Sequence, residues 1–81
     1  MHTDSRLAAL IAAEVRRVRR EQNLRQDELA LAAGVSVRSV HQVEAAKPTA
    51  RLDVIERVLN ALGLTVEVVS RSARGTGLRR P

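Results

Sequence analysis

Val37, Arg38, His41 and Gln42 stand at i, i+1, i+4 and i+5, a spacing that gathers them on one side of a helix. Their chemistry suits the edges of nucleic-acid bases. Arginine can grip guanine with two hydrogen bonds, glutamine can do the same to adenine, and valine can meet the methyl group of thymine. We read these four as candidate base readers, with one or two of them reaching only sugar or phosphate. Ser36 and Ser39 suit a helix cap and phosphate hydrogen bonds better than base reading. Gln26 stands where a helix begins, so its amide and the helix N–H groups could share one phosphate. Arg16, Arg17 and Arg20, within RRVRR, are further phosphate candidates. Their simpler reading is a solvated basic face at the negative end of a helix.

No other chemistry competes. The chain has no glycine-rich phosphate loop, no nucleophile beside a base and no cluster of metal-binding side chains, so neither an enzyme nor a cofactor is expected. His41 has only His2 for company and there is no cysteine, which makes a metal site remote. Phe, Trp and Tyr are absent. That removes the stacking platforms on which RNA and single-strand binders depend.

The elements that must hold these residues are two short helices around one corner, residues 26–44 (QDELALAAGVSVRSVHQVE). Leu29, Ala30 and Ala33 share a face of the first, and Gly34 can take positive φ where the chain turns. Ser36 can cap the second. Val40 and Val43 then point inward and leave the candidate readers outside. Two helices joined by a short turn containing glycine describe a helix-turn-helix, whose second helix enters the major groove of DNA.

The segment LRQDELALAAGVSVRSVHQVEAAK resembles the core of the Cro/C1-type (XRE) helix-turn-helix family, at Gln26, Leu29, Ala30, Gly34, Val35, Ser36, Val40 and Glu44. The likeness runs from about Val15 to Leu64. With the strand-like TVEVVS that follows, the chain is most similar to HipB-like antitoxins. The resemblance implies a lambda repressor-like bundle of about four helices and an ion pair between Arg19 and Glu44. It places Lys47 near the DNA backbone and favours phosphate contact by Gln26. It also implies repression of transcription from a promoter, and a HipA-type kinase toxin as a possible partner. Arg25 and Arg51 depart from the family, which usually caps the following helices with Ser or Thr at these positions.

Around the motif, a first helix is expected from a cap at Thr3 or Asp4 to about Gln22, with an apolar stripe of Leu7, Leu10, Ile11, Val15 and Val18. Asn23 can adopt the left-handed turn that ends it. A last helix from about Leu52 to Leu62 should bury Leu52, Ile55, Val58, Leu59 and Leu62 and stop at Gly63.

Residues 64–70 (LTVEVVS) read as a β-strand, with Val66 and Val68 on one face and Thr65, Glu67 and Val69 on the other. A lone strand needs a partner for its backbone. The same strand from a second copy, antiparallel across a two-fold axis, is the simplest. Such a homodimer would set two reader helices about 34 Å apart and match a palindromic operator. The expected fold class is therefore all-α with a C-terminal strand that pairs across a dimer. Its parts would be a DNA-binding domain at 1–63, a dimerisation strand at 64–70 and a disordered basic tail at 71–81.

With 81 residues, one domain is near the lower size limit for an unstapled core. Four of the five net positive charges belong to Arg71, Arg74, Arg79 and Arg80 in the tail. Bulk charge is thus a poor argument for DNA binding, and local placement must carry it. No apolar run could span a membrane and no secretory leader is evident. The expected location is the cytoplasm, on the nucleoid when DNA is bound.

Overall fold

Each helix begins where a backbone N–H finds an acceptor and ends where one residue turns left-handed. The computed structural model describes residues 5–71, which form α1 (Arg6–Glu21), α2 (Gln26–Ala33), α3 (Val37–Glu44) and α4 (Leu52–Leu62). Ser5 caps α1, its hydroxyl accepting the Ala8 N–H at 3.0 Å. This corrects the expected cap at Thr3 or Asp4, which lie outside the described residues. The two arginine caps are repaired by acids downstream, since a guanidinium has no acceptor to offer. Glu28 accepts the Arg25 N–H at 2.8 Å. At α4 the Asp53 carboxylate accepts the Val54 N–H at 2.9 Å and binds Arg51 at 3.0 Å. These acids also lie at the positive ends of their helices.

All four helices stop alike. Asn23 (φ 58°), Gly34 (φ 73°), Ala46 (φ 60°) and Gly63 (φ 80°) are left-handed. After each, an N–H reaches back across the last turn: Leu24 to the Arg19 carbonyl (3.0 Å), Val35 to Ala30 (3.0 Å), Lys47 to Gln42 (3.1 Å) and Leu64 to Leu59 (2.8 Å). This motif closes orphan carbonyls and sends the next side chain back over the helix. Leu24, Val35 and Leu64 accordingly pack on the core. Two of the four carry a Cβ; asparagine tolerates the left-handed region better than alanine, so the larger strain falls on Ala46.

Val15, Leu29, Val40 and Val58, one from each helix, are the largest fully buried side chains. Val18, Ala30, Val43, Leu59 and Leu62 complete the cluster. α2 packs against α3 and α4, and α1 against α3 and α4. Three expected core positions are exposed, and Ile11 and Ile55 are only partly buried. Leu7 is 57% exposed, Leu10 61% and Leu52 81%. For Leu7 and Leu10 the reason is length. A helix of α1's 16 residues outreaches the 8-residue α2 and α3 by about 12 Å. Its first turns therefore overhang, and Leu7 lines an open apolar groove with Ile11, Leu52, Ile55, Leu59 and Leu64.

Residues 64–70 run without regular secondary structure, and no strand forms among the described residues. A single chain supplies no second strand for a ladder. Val66, Val68 and Val69 stay exposed. Of the expected tail only Arg71 is described, as an exposed residue; 72–81 lie outside. Among the described residues, no helix is long and apolar enough to cross a membrane.

Relief of the left-handed alanine should be measurable. Ala46→Gly is expected to raise stability by about 0.5–1 kcal/mol, the steric gain exceeding the entropy cost of glycine. Gly34→Ala should lower it by a similar or larger amount, because the added Cβ meets only ordinary contact with Arg57, at 3.5 Å, and φ strain remains. Urea unfolding of both variants checks the pair of signs.

Candidate nucleic-acid interface

α3 has a buried side and an open one. Val40, Val43 and Glu44 are buried. Val37, Arg38 and His41 are exposed, and Gln42 is half-buried beside them. Ser36 fixes where the open side begins. Its hydroxyl accepts the Ser39 N–H at 3.0 Å and donates to the Ser39 hydroxyl at 2.9 Å. The first turn is thus closed by its own side chains.

The other end of α3 is held by charge. Glu44 is only 6% exposed. Arg19 grips its carboxylate with both Nε (2.6 Å) and Nη2 (3.1 Å), the paired geometry in which such bonds are strongest. Gln26 donates its side-chain N–H to the same carboxylate at 2.9 Å. Arg16 donates to the Glu44 backbone carbonyl, and the remaining Arg19 nitrogen donates to the Leu24 carbonyl at 2.9 Å. Burial alone would push the Glu44 carboxyl up. The hydrogen bonds from Arg19 and Gln26, with the charges of Arg19 and Arg16, outweigh it and hold the group below the usual carboxylate range. α1, the start of α2 and the end of α3 thereby meet at one carboxylate.

This arrangement separates the residues that sequence grouped as phosphate candidates. Arg16 and Gln26 turn inward to Glu44. Arg17 lies on the surface between Glu14 and Glu21. Arg20 and Lys47 are exposed, as is Ser36, and Ser39 is half-buried. The convergence of Arg16 and Gln26 was missed, although Arg16 and Arg19 stand at i and i+3, the spacing of neighbours on one helix face. Arg57 was missed too. Its guanidinium donates to the Gly34 carbonyl at 3.4 Å, across the corner from α4. Among the described residues no group of His, Cys, Asp or Glu could hold a metal ion.

Removing the carboxylate tests the clamp. Glu44→Ala leaves the Arg19 charge buried and should cost about 3–5 kcal/mol in urea unfolding at pH 7. A depressed carboxyl pKa stabilises the fold above the unfolded value, about 4.3, and this contribution is lost as pH falls through the folded value. The gap between wild type and variant should therefore narrow below about pH 4. A gap unchanged by pH would contradict it.

Comparison with known proteins agrees with the geometry. A family model described as helix-turn-helix matches residues 15–69. An uncharacterized HTH-type transcriptional regulator, y4mF of Sinorhizobium fredii (strain NBRC 101917 / NGR234), is 48% identical over 64 residues, covering 79% of this chain and 84% of that protein. No solved structure matches. The open face of α3, the two-helix corner and these matches together place the chain in the XRE-type helix-turn-helix family of DNA-binding transcriptional regulators.

Proposed function

We propose that the protein is a sequence-specific repressor that binds double-stranded DNA as a homodimer on a palindromic operator. The observation that carries this is the exposure of Val37, Arg38 and His41 on the side of α3 opposite its buried valines. In this reading Val37, Arg38, His41 and Gln42 meet base edges. Arg20, Lys47 and Ser39 meet phosphates, and Ser36 sets the helix start. Arg17 can exchange its carboxylates for a phosphate, since exposed ion pairs hold little free energy. Arg16 and Gln26 serve DNA through Glu44, by fixing the angle of α3. Thr65, Val66, Glu67, Val68 and Val69 join the two copies.

The resemblance to HipB-like proteins extends the proposal to autoregulation and to neutralising a HipA-type kinase toxin. The alternative is a stand-alone regulator without a toxin. The neighbouring reading frame separates them: a kinase-like frame whose product co-purifies with this protein supports the antitoxin, and a solitary gene supports the alternative.

Base readers and phosphate contacts differ in what their loss does. Arg38→Ala should weaken the selected site by about 1–3 kcal/mol, far more than it weakens random duplex. Arg20→Ala should weaken both alike and reduce the salt dependence by about one counterion. Titrations at several salt concentrations measure both, and equal losses on both duplexes for Arg38→Ala would overturn the assignment of the reading face.

A further inference from the structure

Resting on the homodimer reading, we propose that the second copy pairs at residues 64–68 in one register, centred on Val66, and that Val68 of each copy covers the other's apolar groove. Among the described residues, no backbone hydrogen bond involves residues 66–69, and Val68 is 97% exposed. Two and four residues upstream, Val66 and Leu64 line the groove with Leu7, Ile55 and Leu59. A second copy brings apolar side chains and an unpaired backbone together.

Symmetry limits the choices. A two-fold axis perpendicular to the paired strands keeps each residue on the same side in both copies, so the axis must pass between a residue and its own counterpart. Centring on Glu67 would set like charges directly opposite, which is destabilising. Centring on Val68 would set Val66 against the partner's Ser70 and Glu67 against the partner's Val69. Centring on Val66 instead matches every pair. Val66 faces the partner's Val66, Val68 faces the partner's Leu64, and Thr65 can donate its hydroxyl to the partner's Glu67. Leu64, Val66 and Val68 form one continuous apolar face, and Val68 arrives where Leu64 borders the groove.

The chain has no cysteine, so single thiols report the register. Directly opposed Cβ atoms lie about 4.5–5.5 Å apart, close to disulfide geometry. Under mild oxidation Val66→Cys should form a covalent dimer. Val68→Cys should form none, its thiols being about 13 Å apart along the strands. A mixture of Thr65→Cys and Glu67→Cys should yield the mixed dimer, which keeps the test decisive if Val66→Cys weakens association. Cross-linking at 67 or 68 instead of 66 would overturn the register. A wild type that sediments as a dimer while no cysteine from 65 to 68 cross-links would move the interface elsewhere. A wild type that sediments as a monomer would overturn the homodimer reading itself.

Discussion

One buried carboxylate decides how the outward face of α3 is aimed. Glu44 stands at the end of an 8-residue helix, too short to be stable alone in water. Its side chain is tied to α1 by Arg19 and to the first residue of α2 by Gln26, and its carbonyl is held by Arg16. Burying a charge is unfavourable unless its partners are well placed. The arrangement ties the end of α3 to α1 and to the start of α2 through one carboxylate. Val40 and Val43 give that helix its depth in the core; Glu44 limits its rotation.

The remaining geometry comes from the way each helix stops. Four left-handed residues turn the chain back over the helix just finished, and in three cases the following residue is apolar and enters the core. A core without aromatics has little volume to lose. These turns let Leu24, Val35 and Leu64 add to it. The Arg57 bond to the Gly34 carbonyl ties α4 to the corner between α2 and α3, so the corner is supported from two sides.

The helices and the sidedness of α3 were legible because periodic apolar residues and glycine stops act locally. The ion pair was visible only through family resemblance, since nothing in the spacing of Arg19 and Glu44 brings them together. Ala46 escaped notice because alanine carries no signal for a left-handed turn; the closing bonds of α3 impose it. Leu7, Leu10 and Leu52 read as core because periodicity reports which face is apolar, not whether anything covers it. Arg16 and Gln26 read as phosphate ligands because the hydrogen-bond donors of both suit a phosphate as well as a carboxylate or carbonyl. The folded chain adds that both donate to Glu44.

An aimed reader helix and an uncovered apolar groove meet in the claim that two copies read DNA together. Selection of bound duplexes from a random pool tests this most directly. The account requires an inverted repeat whose half-sites lie about 34 Å apart, one turn of B-DNA. Enrichment of a single unrepeated site, or of no sequence at all, would contradict it.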